Sequence, residues 1–153
     1  FTEEFYKRVC GAKLAPVLES IEYMRELGIW VEATTLIIPT QNDSENELRQ
    51  IAKWIYKTDK TIPWHLSAFY PTYKMANLPR TPVSIIDRAR EIGLEEGLRY
   101  VYTGNVPGDP GESTYCYNCK KLIIERHGFF VKRNLIKDSK CPYCDVQIDG
   151  VEL

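Results

Sequence analysis

Four cysteines near the end of the chain have the spacing of a metal cage. Cys116-Tyr117-Asn118-Cys119 and Cys141-Pro142-Tyr143-Cys144 are separated by 21 residues. A Cys-x-x-Cys turn puts two sulfurs on one side of a tight loop. Two such loops facing each other make a tetrahedral set of thiolates, which suits Zn²⁺ because its filled d shell imposes no other geometry. Four thiolates also leave no position for a reacting water, so the ion is read as structural. An iron centre of rubredoxin type uses the same four sulfurs, and zinc and iron both stay open. Two disulfides are the plainer alternative, but a bridge across two intervening residues is strained. Between the pairs, Leu122-Ile123-Ile124 and Phe129-Phe130-Val131 read as strands broken at Gly128. That is a hairpin with a knuckle at each end, a zinc-ribbon plan. Lys120 and Lys121 suit loop amides and charge beside thiolates. His127 sits mid-hairpin at no ligand spacing and reads as a surface residue.

What precedes the cage alternates helix and strand. Leu14, Val17, Leu18, Ile21, Met24 and Leu27 recur at helical spacing, with Pro16 in the first turn and Gly28 at the stop. Residues 29–38 are rich in β-branched side chains, and their apolar second half reads as a strand buried on both faces. Ser44 and Glu47 form a capping box ahead of a helix with the stripe Leu48, Ile51, Ala52 and Ile55. Residues 64–70 are the second strand. Thr81-Pro82 opens a helix carrying Ile85, Ile86, Ala89 and Ile92, and residues 98–103 are the third strand. Such alternation predicts right-handed crossovers and a parallel sheet. Val106-Pro107-Gly108-Asp109-Pro110-Gly111 reads as a linker.

With 153 residues, 44% hydrophobic and 27% charged, the composition is that of a globular protein. A net charge of −1 gives no global pull toward nucleic acid or membrane, so neither is an expected partner. No apolar run approaches the ~20 residues of a membrane span. Four of the five cysteines lie in the paired motif, which fits a reducing cytoplasm. Cys10 reads as a small buried side chain. The chain opens at Phe1 without methionine, and it is read as a piece of a longer polypeptide.

Ligands of parallel α/β folds bind beyond the C-terminal ends of the strands. Here those ends, at residues 37–40, 69–73 and 103–105, offer hydroxyls, amides and aromatic faces, including Tyr70 and Tyr73, which could cover a planar ligand or pack at the rim. They hold no Ser-His-Asp set, carboxylate pair or phosphate loop, so no catalytic residue is assigned. Thr34 and Thr35 are polar inside a very apolar strand, as ligand groups or as hydroxyls satisfying a neighbour. His65 reads as a hydrogen-bonded sheet residue, and Asp43 and Glu47 as capping groups.

Gly28-Ile29-Trp30-Val31-Glu32-Ala33-Thr34-Thr35-Leu36-Ile37-Ile38-Pro39, followed by Asn42-Asp43, resembles radical S-adenosylmethionine enzymes of the glycyl-radical-activase type. The likeness is greatest to those of the AmmeMemoRadiSam system, relatives of pyruvate formate-lyase activating enzyme. Cys10-Gly11-Ala12-Lys13-Leu14, Tyr70-Pro71-x-Tyr73-Lys74-Met75, Tyr100-Val101-Tyr102-x-Gly104-Asn105-Val106-Pro107-Gly108 and the paired cysteines resemble that group as well. The resemblance implies part of a parallel (βα) TIM-like barrel, followed by a small zinc-ribbon-like hairpin. It implies S-adenosylmethionine and a [4Fe–4S] cluster in the full-length protein, and a protein backbone glycine as a candidate substrate. Thr34, Thr35 and Ile37 lie on the strand matching the family's adenosyl-contacting strand, and Tyr70 stands where activases carry a histidine. The family's Cys-x-x-x-Cys-x-x-Cys cluster motif is absent from this chain.

The resulting expectation divides the chain into residues 1–105, the C-terminal half of a partial barrel, a linker at 106–112, and a metal-binding tail at 113–153. The chain would be the C-terminal part of a radical S-adenosylmethionine enzyme, inactive without its front. A second reading is a zinc-ribbon module contacting a partner protein or RNA. It draws on Lys120, Lys121, Arg126, Lys132, Arg133, Lys137 and Lys140, set among Tyr117, Phe129, Phe130 and Tyr143. A solvated hairpin face accounts for the same residues.

Overall fold

The computed structural model describes residues 1–151. A single helical turn, α1 (Glu3–Phe5), runs into a π-helical turn at Tyr6–Cys10 that ends on left-handed Gly11. The carboxylate of Glu3 then accepts from the amides of Leu14 (3.2 Å) and Ala15 (3.0 Å), capping α2 (Leu14–Glu26) from a distance in sequence. Gly28, at φ 76°, ends that helix as its position predicts. Cys10 is exposed, not buried as its small size suggested.

The parallel sheet consists of β1 (Ala33–Ile37), β2 (Trp64–Ala68) and β3 (Val101–Gly104), in spatial order β1-β2-β3. In register, Thr34 lies beside His65 and His65 beside Tyr102. Helix α3 (Glu45–Asp59) buries Leu48, Ile51, Ala52 and Ile55, and the Ser44 hydroxyl accepts from the Glu47 amide at 3.3 Å. Helix α4 (Val83–Glu95) buries Ile86, Ala89, Ile92 and Gly93. These helices cover the sheet face formed by Trp64, Leu66, Ala68, Val101 and Ile37, and together they make the main core.

Short polar side chains stop the strands. The Asn42 side chain accepts from the Ile38 amide (2.7 Å) and donates to the Leu36 carbonyl (2.9 Å), turning the chain after β1. Buried Thr81 donates to the Ile37 carbonyl (2.6 Å) and accepts from the Phe69 amide (2.8 Å), tying the ends of β1 and β2 together.

A second, antiparallel sheet follows: β4 (Thr114–Tyr115), β5 (Leu122–His127) and β6 (Phe130–Asn134), in order β4-β5-β6. Gly128, at φ 56°, makes the predicted hairpin turn between β5 and β6. Residues 106–112 are folded onto β3. The Asp109 carboxylate accepts from the Thr103 hydroxyl (2.6 Å) and the Gly111 amide (2.7 Å).

The expected TIM-like barrel portion is corrected by this topology. The parallel strands form an open three-stranded sheet, no strand closes it among the described residues, and helices α3 and α4 pack on one face. Helix-strand alternation enforces parallel pairing but not closure, which depends on strand number and stagger. The strand expected at 29–38 is also shorter. It begins at Ala33, and Leu36 is 43% exposed, so its second half is covered on one face only.

Close contact between α4 and the sheet requires glycine at position 93. A Cβ there would meet Val101 Cγ2 at 2.9 Å and Trp64 Cε3 at 3.0 Å. Gly93→Val should therefore lower stability by about 1–3 kcal/mol through overpacking, measured as a shifted urea midpoint at unchanged m-value.

Candidate metal centre

Two loops with matching backbones bring the four cysteines together. In the first, the Lys120 amide donates to the Cys116 carbonyl (2.9 Å), and the Cys116 amide donates to the Lys121 carbonyl (2.9 Å). In the second, the Asp145 amide donates to the Cys141 carbonyl (2.9 Å), and the Cys141 amide donates to the Val146 carbonyl (2.9 Å). The residue after each pair is left-handed, Lys120 at φ 61° and Asp145 at φ 58°. Neither is glycine, so each loop stores about 1–2 kcal/mol of backbone strain that the surrounding contacts must offset.

The four sulfurs lie within 4.8 Å of one another. The shortest separations run between the loops: Cys116 to Cys144 at 3.6 Å and Cys119 to Cys141 at 3.7 Å. A tetrahedron with metal–sulfur bonds of ~2.3 Å has edges of about 3.8 Å, so these distances are those of a cage. They far exceed a disulfide bond of about 2.05 Å, and all four thiols are free. The site can hold a metal ion such as zinc or iron. Burial pushes the Cys116 thiol above its ordinary range. The Val146 amide and the Asn118 side chain, 3.6 Å from its sulfur, hold the Cys144 thiol below it. An ion is what would let all four sulfurs be thiolates at once. His127 is exposed at the far end of β5 and outside the group of metal-ligating side chains, as its spacing suggested.

The cage joins the parallel sheet through a shared core. Cys116, Cys141, Ile123 and Ile148 pack with Tyr100, the residue that leads into β3. The Tyr100 hydroxyl donates to the Asp149 carboxylate (3.0 Å), which also binds Arg99 at 2.6 Å. Burial raises the phenol pKa of both Tyr100 and Tyr102, so both remain protonated donors.

Between the uncovered face of the parallel sheet and the antiparallel sheet lies a cleft of about 860 Å³. Its polar residues form a linked row. Trp30 Nε1 donates to Glu32 at 3.0 Å, and His65 Nε2 lies 2.8 Å from the other Glu32 oxygen. The His65 ring stacks on Tyr102 at 5.1 Å between centroids. The Tyr102 hydroxyl meets the Thr114 hydroxyl at 2.9 Å, and Thr114 also accepts from Arg126. The row thus crosses from the segment just before β1, over β2 and β3, to the ribbon.

The four residues carried over from the resemblance do not converge. Thr34 faces the cleft. Thr35 points to the helix-covered face, where its hydroxyl accepts from Trp64 Nε1 at 2.9 Å, and Ile37 is fully buried in the core. Tyr70 is beyond the end of β2, where its hydroxyl donates to the Asn105 carbonyl (3.0 Å) under the Arg80 guanidinium. Sequence reasoning misses Glu32, Tyr102 and Thr114 as site residues and names Arg126 only for the nucleic-acid reading; His65 is the hydrogen-bonded sheet residue its position suggests, and it also lines the cleft. The usable signal is alternation: Trp30 and Glu32 in the segment leading into β1 and Thr34 on it, His65 and Ser67 on β2, all at period two.

The chain is 46% identical over 151 residues to an uncharacterized protein of the archaeon Methanocaldococcus jannaschii. The match covers 97% of this chain and 45% of that protein, so the chain spans a little under half the length of its relative. No protein-family model matches the chain. No described helix is long and apolar enough to cross a membrane.

Purified without chelator, the chain should carry about one equivalent of zinc or iron. Less than about half an equivalent by elemental analysis would remove the cage. Cys141→Ser should abolish amide-exchange protection from Thr114 to Ile148 while α3 and α4 keep theirs. Equal loss in both regions would show that the metal does not act locally. Acidification should expel the ion, because protons compete for the thiolates.

Proposed function

We propose that the chain is the C-terminal portion of a radical S-adenosylmethionine enzyme of the glycyl-radical-activase type, with zinc as the ion in its ribbon. The supporting observation is the bare polar face of the parallel sheet, with Thr34, His65 and Tyr102 side by side over a ligand-sized cleft. That sheet is built from the segments that resemble the family. The match to just under half of a longer protein fits the same reading.

The role of the chain in such an enzyme is to bind and orient. Thr34 offers a hydroxyl to a ligand in the cleft, the Glu32–His65 pair offers a charge and a hydrogen bond, and the ribbon supplies the opposite wall. Zinc suits the ribbon because four thiolates saturate it without redox chemistry. The free thiols suit a reducing compartment, and the cytoplasm is the location this reading assigns.

The cluster is a different matter. Four of the five cysteines are taken by the cage, and Cys10 stands alone and exposed. This chain cannot ligate a [4Fe–4S] cluster of the family's kind, and reductive cleavage of the cofactor belongs to the whole protein.

A polypeptide extended ahead of Phe1, reconstituted with iron and sulfide under anaerobic reduction, should convert S-adenosylmethionine to 5′-deoxyadenosine. The 153-residue chain should not. In the extended protein, Thr34→Val should raise the KM for S-adenosylmethionine by up to about tenfold, the worth of one hydrogen bond. A full-length sequence with no Cys-x-x-x-Cys-x-x-Cys ahead of this segment would end the proposal.

A further inference from the structure

The net charge of the chain hides a strong local imbalance. Residues 120–140 contain seven Lys and Arg against two acids, Glu125 and Asp138, while the whole chain carries −1. This segment is the β5–β6 hairpin and its flanks. Its outer strand β6 is an edge strand, and all five of its residues are exposed. Lys132 and Arg133 share a single acidic neighbour, Glu125, at 3.9 and 3.3 Å. Lys137 is exposed in the connection that follows.

At the tip of this basic hairpin stand two aromatic side chains. Phe129 is 110% exposed and Phe130 is 69% exposed. Neither ring stacks on another ring or on a cation among the described residues. Other rings near the ribbon are paired: Tyr143 carries Lys121, Tyr117 carries Arg99, and His65 lies on Tyr102. Two adjacent bare phenylalanines at a hairpin tip contribute nothing to the core and present flat apolar faces to the outside.

We propose that the β5–β6 hairpin is a binding surface for single-stranded nucleic acid, with bases stacking on Phe129 and Phe130 and phosphates running past Lys132, Arg133 and Lys137. Residues two apart on a strand share a face and are about 6.7 Å apart, so Phe130 and Lys132 stand on the same side of β6. This is the pairing that sequence-tolerant single-strand binders use: an aromatic platform beside a cationic track. An acidic peptide added to the edge of β6 would meet the charge but leave the rings without planar partners. The register shift between Glu125 and Arg126 also twists the hairpin away from the flat edge that strand addition favours. The inference does not require radical chemistry, and Phe129 also borders the cleft.

The test is fluorescence anisotropy of the metal-loaded 153-residue chain with a labelled mixed-sequence RNA oligonucleotide of about a dozen bases, titrated at several salt concentrations. Binding should be saturable, and log K should fall linearly with log salt. Phe129→Ala/Phe130→Ala should weaken binding about tenfold or more with the slope unchanged. Lys132→Gln/Arg133→Gln should lower the slope by about 1.4, the share of two single-strand phosphates. All four side chains are exposed, and metal content with circular dichroism verifies that the variants keep their fold. Three results would overturn the proposal. These are no saturable binding at low salt, binding insensitive to the phenylalanine pair and matched by heparin, or preference for an acidic peptide over RNA.

Discussion

Four thiols crowded around one point are the constraint on which the C-terminal half depends. The ribbon's hydrophobic core has few buried members: Tyr100, Cys116, Ile123, Cys141 and Ile148 form its cluster, and two of them are prospective ligands. Its longest free strand, β6, buries nothing. So little apolar area cannot by itself offset the conformational entropy of some forty residues. A bound ion would supply the missing term, on the order of 10 kcal/mol or more in small zinc domains. It would also compensate two left-handed non-glycine residues and a buried thiol that are otherwise unfavourable.

The same ion would order the cleft. One wall is the uncovered face of the parallel sheet, and the other is made by Thr114, Ile124, Arg126 and their neighbours on the ribbon. The ribbon is fixed to the sheet by Tyr100, which belongs to the cage core while its hydroxyl binds Asp149. Metal, ribbon and cleft therefore form a mechanical sequence. Loss of the ion would release the second wall, while the helix-packed core around Trp64 and Leu66 shares no buried member with the cage core.

Features set by neighbouring residues were legible in the sequence. The cysteine spacing, the Ser44 cap, the apolar stripe of α3 and the glycine stops at Gly28 and Gly128 are all decided within a turn or two of chain. Features set across space were not. Closure of a sheet is a property of strands that are far apart in sequence, so βα alternation could not distinguish an open sheet from a barrel. The Glu32–His65 contact joins residues 33 positions apart, and β4 has only two residues, too few for any periodicity. Thr34 and Thr35 show a middle case. Their adjacency made them look like one polar site, yet a strand sends neighbours to opposite faces. One reaches the cleft, and the other bonds Trp64 in the core.

The hairpin beyond the cage follows from this division of labour. In most small β proteins each strand must contribute buried side chains, and its outer residues are chosen for solubility. Here the base of the hairpin is clamped by two metal loops, with β5 contributing Ile123 and Ile124 to the interior. The strand opposite is held by pairing to β5 alone and has no packing duty. Its residue types are thus free to answer to something outside the molecule. Solubility alone would favour mixed charges and no aromatics at such an edge. Two bare phenylalanines beside lysine and arginine are the opposite choice, and an external ligand with flat apolar faces and negative charge is what would reconcile them.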